Sequence, residues 1–496
     1  MKNFFFLLVF LLIFYVPIEA QQRNNPLRIE LETAKDEHDY TCIPVGDRGV
    51  VVFYEGNLGG YDSVVWIFMH YDTNLRKLNN YQVPLPANLN FVKGCHNAGR
   101  LFLLFQEKHQ RRSTPKSYFI CLNIETKQTE IQIVPELSDL SINYIHTFEN
   151  QIILISYEKE AYSIYIYDFS KKRLKTPRFT SDKILSIEFC EVDTLSQKLY
   201  WGVLAASGNK TAAMQLIETN YQGDLIRSSF FPSYMGYYLC AARFAMTDTA
   251  QAIIIGSYTD ENSKYSGNYY TGVYTVTLKN GIFGDPIFYT YSHIKSRDSV
   301  NISKSKKNDQ NLHELIGQLF TNNGHYTFVS EVFYPEYAQQ STPSFDSHYY
   351  GYGRYNSPLL TTVFNGFRYV NAYIVTFDKN GHLLWDNYMP FSGFLTERLT
   401  QRVSIYPFQN YTVIFYPFNN KITYTMLSSY DIIEPLRTIS LTTNYQKDII
   451  EYSRNNYFIQ WYGDYFLAYG YQYIKNNSKE VKSKRYVFYL NKLGYR

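Results

Sequence analysis

"YIVTFDKNGHLLWDNYMP", residues 373–390, is two short apolar runs around a polar turn, and "QLIETNYQGDLIRSSFFP", residues 215–232, repeats the pattern. In both, an apolar run leads into an Asx-containing turn that ends in Gly, followed by Leu-Leu or Leu-Ile and then a proline. Asn and Asp bond their own backbone in turns, and Gly supplies the left-handed φ that such turns need. Each stretch therefore reads as a β-hairpin, and the chain carries it twice, 158 residues apart.

Working outward, runs dense in apolar and β-branched residues begin near Gly49, Gly99, Asn150, Gln197, Ala250, Asn323, Gln409 and Gly463. Their spacings are 50, 51, 47, 53, 73, 86 and 54 residues, so only two depart strongly from a common period, and insertions account for both. Each run is preceded by another strand-like run ending in Asn, Asp or Gly, as in "INYIHTFEN" and "RVSIYPFQN", and followed by a third, as in "SYFICLNI" and "NAYIVTFD". A fourth follows after a short turn. The unit is strand A, B, C, D; the opening stretches are the C–D hairpins of units six and four. "NLHELIGQL", residues 311–319, is the one segment ambiguous with helix.

Four-stranded units repeated at this period resemble a β-propeller. The reading is all-β, with eight four-stranded blades, or seven if one unit is misread. Unit eight stops at "YVFYLNKLGYR" with no room for a strand D, while "PLRIELET", residues 26–33, is an extra strand ahead of the first A. The expectation is that this N-terminal strand completes the last blade and removes an exposed edge. The resemblance covers residues 26–496 as a single domain. It is to the architecture of an uncharacterised exported propeller and not to a functionally defined family: Trp385-Asp386 is the only WD-like dipeptide in register, and Gly59-Gly60 is the only Gly-Gly pair.

Residues 1–20 read as an export signal. Lys2 precedes an apolar run from Phe4 to Val16, Pro17 breaks it, and Ala20 closes a small-residue cleavage site before Gln21. Thirteen residues rise about 20 Å as helix, short of a bilayer core of about 30 Å. The expected location is periplasmic or extracellular, with no membrane span after signal removal. A formal net charge of +4 over 496 residues implies no nucleic-acid partner. The 50 Tyr and 35 Phe suit β cores and binding surfaces, and an AT-rich genome gives the same bias. Five cysteines, four of them on A strands (Cys42, Cys95, Cys190, Cys240), include no CxxC pair; free buried thiols are expected over Cys42–Cys95 and Cys190–Cys240 bridges.

No ready-made catalytic motif survives inspection. "HELIG" at His313 has Gly317 where a zincin's second histidine belongs, "GYGRYN" at Gly351 lacks the third glycine of a dinucleotide loop, and Lys264 interrupts a calcium-like run at Asp260. No catalytic residue, metal or cofactor is assigned. Two places remain for binding. Long insertions fall at 259–272, 291–311 and 335–366, all on one rim, and the third carries Tyr349, Tyr350, Tyr352 and Arg354, suited to a glycan or peptide. The other place is a polar ring, found by counting back from each A–B turn: Thr41, Lys93, His146, Glu188, Arg243, Gln318, Tyr406 and Gln460. Such a ring suits a small polar ligand or a metal shared by His146 and Glu188; Glu188 and Arg243 also suit a plain ion pair. The expected function is a binding scaffold for an unknown protein, peptide or glycan, with a hydrolase or lyase acting on extracellular polysaccharide as the alternative.

Overall fold

The computed structural model describes residues 27–34, 40–60, 62–108, 115–138, 140–177, 183–206, 213–231, 236–248, 251–260, 270–294, 312–342, 359–391, 394–408, 411–418, 420–428, 432–478 and 481–494. The signal segment 1–20 and Tyr349, Tyr350, Tyr352 and Arg354 lie outside these, as do most of 259–272 and 291–311. About three quarters of the described residues are strand, and the chain is an all-β protein of β-propeller architecture. No helix among them is long and apolar enough to cross a membrane.

The turn chemistry behind the opening hairpins recurs. Asn220 Oδ1 accepts from the N–H groups of Gln222 and Asp224, at 3.0 and 2.8 Å. Asp378 Oδ1 does the same for Asn380 and His382, at 2.9 and 2.8 Å. Gly223 and Gly381 then take φ of +79° and +86°, which glycine adopts without a Cβ penalty. Asp72 builds the same Asx turn in another sheet, but there Leu75 occupies the left-handed position at φ of +58°; Asn123 builds a longer turn, accepting from Glu125 and Thr126, with Lys127 left-handed at +64°.

The chain divides into two compact units. The first comprises Met1–Gly59, Val64–Pro84 and Ser440–Arg496. It contains the sheet Thr41–Pro44, Val50–Gly60, Ser63–Tyr71, Lys77–Pro86, and the sheet Asp448–Tyr462, Tyr465–Asn476, Lys484–Gly494, Arg28–Thr33. Arg28–Thr33 pairs antiparallel with Lys484–Gly494 from Arg28↔Asn491 to Thr33↔Tyr486, so the N-terminal strand is the fourth strand of the sheet formed by the C-terminal segment. Val50, Val52, Met69, Leu467, Phe488 and Leu490 make one core between the two sheets.

The second unit, Gly60–Ser63 and Leu85–Ile439, holds six successive meanders. Their first strands are Leu89–Asn97, Ile142–Phe148, Lys183–Asp193, Tyr237–Asp248, His313–Asn322 and Ser404–Pro407. A single bridge, Tyr162↔Ile184, joins the second and third meanders edge to edge. Consecutive sheets are otherwise held by face-to-face apolar packing, one cluster per junction. Phe189, Leu216, Phe244 and Ile254, for example, fill one junction. First strands of neighbouring sheets also run beside one another, as Tyr237–Asp248 does with both Lys183–Asp193 and His313–Asn322.

One ambiguity is resolved and one expectation changes in detail. His313–Asn322 is a strand, paired with His325–Thr342, as its place as strand A of unit six requires. The described flanks of the 335–366 insertion, residues 335–342 and 359–366, are strand: His325–Thr342 and Leu359–Phe377 stay paired out to Thr342↔Leu359. Its flanks "YAQQST" and "LLTTVF" are free of charge and rich in β-branched and aromatic residues, which favours continuing the ladder. Tyr337 and Phe364 pack edge to face on this ribbon, with ring centroids 5.7 Å apart.

Candidate functional site

Several first strands of the second unit break register beside one another. A bulge puts two residues opposite one, bends the strand and re-aims a side chain. Such breaks fall at Asn143, Leu185, Glu188 and Cys240, and at Gly317 and Gln318, which together oppose Val329. At Gly317 the backbones come so close that an added Cβ would lie 2.3 Å from the Val329 carbonyl oxygen. These breaks surround a cavity of about 530 Å³, lined by polar Asn143, Tyr144, Glu188, Glu191, Arg243 and Gln318, with Phe189, Phe244 and Phe320 among its apolar walls.

Arg243 is the brace of this site. Its Nε donates to Gly317 O at 2.7 Å, Nη1 to Glu188 O at 2.8 Å and to Ala242 O at 2.7 Å, and Nη2 to Ile316 O at 3.1 Å. One guanidinium therefore ties the inner strands of three consecutive sheets through their carbonyls. Its Nη1 also lies 3.7 Å from Glu188 Oε2. Glu188 accepts a hydrogen bond from Ser186 Oγ at 2.6 Å. Burial nevertheless raises the Glu188 carboxyl above the ordinary range, against the pull of Ser186 and Arg243. Burial likewise lowers the Arg243 pKa.

Glu191 differs. Its surface is open to solvent, yet it stands within the cavity walls, and the desolvation those walls impose raises its pKa to about 6. Among the described residues it makes no hydrogen bond or ion pair. Tyr144, whose phenol is pushed up to about 12 by burial and then by Cys190 and Glu191, stands near it.

Of the residues expected from the sequence, Glu188, Arg243 and Gln318 line this one cavity. His146 lies on the same strand as Tyr144 and its ring stacks on Tyr144 at 6.4 Å, but it does not line the cavity; burial lowers its pKa. Lys93 is exposed on Leu89–Asn97, outside the cavity lining. Gln460 belongs to the first unit, where its Nε2 donates to Gly463 O at 3.4 Å. No group of three or more His, Cys, Asp or Glu side chains suited to a metal gathers among the described residues. All five cysteines are free thiols. Counting along the sequence missed Glu191 and Tyr144. The spacing of three between Glu188 and Glu191 in an otherwise apolar strand, "SIEFCEVD", is the trace the Glu188 bulge leaves in the sequence.

No protein-family model matches the chain, and no curated protein matches it. Among solved structures it is similar to the polysaccharide lyase Uly1, with a TM-score of 0.41 and 9% identity over 92% of this chain and 99% of that one. It is also similar to AztD of Citrobacter koseri, with a TM-score of 0.33 and 10% identity over 90% and 99% of the two chains. A third likeness is to the β-propeller domain of the Trilobed protease from Pyrococcus furiosus, at 0.31 and 7% over 72% and 96%. Scores this low carry no statement about chemistry.

Proposed function

We propose that the protein is a binding scaffold whose ligand, a small polar molecule, occupies the cavity at Asn143, Tyr144, Glu191 and Gln318. The observation that carries this reading is the division of labour on the cavity wall. Arg243 and Glu188 are engaged with Ser186, with each other and with backbone carbonyls, whereas the Glu191 carboxylate is not. A volume of about 530 Å³ sits within the roughly 300–1,000 Å³ usual for small-molecule sites.

The test is equilibrium dialysis against a small-molecule extract, with retained compounds identified by mass spectrometry. The wild type retains a compound that a cavity-filling Gln318→Trp variant of equal melting temperature loses. Equal retention by both rejects the site. One observation favours a second reading, a hydrolase or lyase. Two carboxyl groups of raised pKa, Glu188 and Glu191, line one cavity, and such groups are candidates for acid–base work. A retained compound released chemically altered, with Glu191→Gln abolishing the change, selects that reading.

A further inference from the structure

We infer that the ligand of this cavity is an organic cation, an amine or a guanidine of modest size. The inference rests on the binding reading above and adds the chemical class of the ligand. It begins from charge. The walls carry two carboxylates, Glu188 and Glu191, against one cation, Arg243, and among the described residues no lysine and no second arginine lines the space.

Arg243 has little to offer an anion. Four of its N–H bonds already go to the carbonyls of Gly317, Glu188, Ala242 and Ile316, and a guanidinium has five. Its charge also lies 3.7 Å from that of Glu188. What remains is Glu191, which feels Arg243 through space but makes no hydrogen bond or ion pair among the described residues, a negative charge in a partly walled space, where a closer counter-charge is worth more than in open water.

The apolar part of the wall fits the same class of ligand. Tyr144, Tyr162, Phe244 and Phe320 contribute aromatic surface, and ring faces attract ammonium and guanidinium groups. Asn143 and Gln318 supply amide oxygens that accept from N–H donors. A neutral sugar would find these amides but would leave Glu191 without a closer counter-charge. The titratable groups sharing the cavity wall with Glu191 are Arg243, Glu188, Tyr144, Tyr162 and Cys190, and His146 and Cys95 interact with Tyr144 without lining the cavity. Burial holds the thiols and phenols of Cys190, Cys95, Tyr144 and Tyr162 in their neutral forms. The carboxyls of Glu188 and Glu191 are both raised, Glu191 to about 6, so loss of the pH effect in Glu191→Gln is what assigns it to Glu191.

The experiment is isothermal titration of the full-length mature protein with agmatine, spermidine, choline and benzylamine, with glucose and citrate as neutral and anionic controls, at pH 8 and pH 5. Agmatine, choline and benzylamine keep essentially their whole charge at both values, so a pH effect on their binding reports on the cavity carboxyls. The expected result is that at least one amine binds the wild type at pH 8. It should bind about tenfold more weakly, or worse, both at pH 5 and to a Glu191→Gln variant whose melting temperature is unchanged. Silence from all four amines overturns the inference, and so does an amine that binds Glu191→Gln as tightly as wild type. Glucose or citrate bound in their place removes the cation assignment and leaves the binding reading standing. If no probe binds and dialysis retains no compound, both fall.

Discussion

Glu331 shows how a single buried carboxyl couples this fold to pH. It is 1% exposed, and its Oε1 accepts from the backbone N–H groups of Arg402 and Val403 at 2.7 and 2.6 Å, while Oε2 is buried without a hydrogen bond. It thereby pins the crossover that leads into the Ser404–Pro407 strand. Burial raises its pKa from 4.5 to about 7, against the opposing effect of those two N–H groups. Between those values the unfolded chain has released this proton and the folded chain still holds it. Stability therefore falls as pH rises from about 4.5 to about 7, by on the order of 3 kcal/mol, and is level beyond. Glu331→Gln keeps an acceptor for both N–H groups and removes the titration. Chemical denaturation across pH 4.5–8 is expected to show this slope in wild type and a flatter profile in the variant. Identical profiles would remove Glu331 as its source.

Among the elements, the Arg28–Thr33 strand depends on a buried charge cluster as much as on its ladder. Arg28 Nε lies 2.7 Å from Glu30 Oε1, and Arg28 also donates to Asn491 Oδ1 and Gln472 Oε1, each at 2.8 Å. Glu30 Oε2 receives Arg485 at 3.1 Å, and Arg485 pairs in turn with Asp448 at 2.5 Å. None of these four charged side chains is more than 7% exposed. Removing one partner of such a set leaves a buried charge uncompensated, at about 3–5 kcal/mol. With residues 26–496 proposed as one domain, Glu30→Ala is expected to lower a single calorimetric unfolding transition by several degrees. Removal of residues 21–33 should lower it further and expose the Lys484–Gly494 edge. An unchanged melting temperature, or a second separate transition, would contradict this.

The elements also show what was legible in the sequence. Strand runs, Asx turns and the N-terminal strand are local or counting signals, so "PLRIELET" could be matched to a unit lacking its fourth strand. The bulges were not legible. Each is a one-residue slip that depends on the neighbouring backbone, and it reverses the alternation by which inward positions are counted. Counting backwards therefore reached Glu188, Arg243 and Gln318 and passed over Glu191 and Tyr144. The 335–366 segment was read as a loop because its insertion length outweighed the strand propensity of its flanks.

On the scale of the whole molecule, repetition supplies a scaffold and irregularity supplies the site. The meanders of the second unit share one plan, and three of their first strands depart from it at Asn143, Glu188 and Gln318, which line the cavity. The regular parts contribute apolar packing between sheets, and the breaks gather polar side chains that a regular ladder would send to alternate faces. The most direct measurement is a crystal structure of the protein with the compound it retains in dialysis. The account predicts that compound among Asn143, Tyr144, Glu191 and Gln318, with Arg243 still on its four carbonyls. A compound bound elsewhere, with this cavity holding only water, would contradict it.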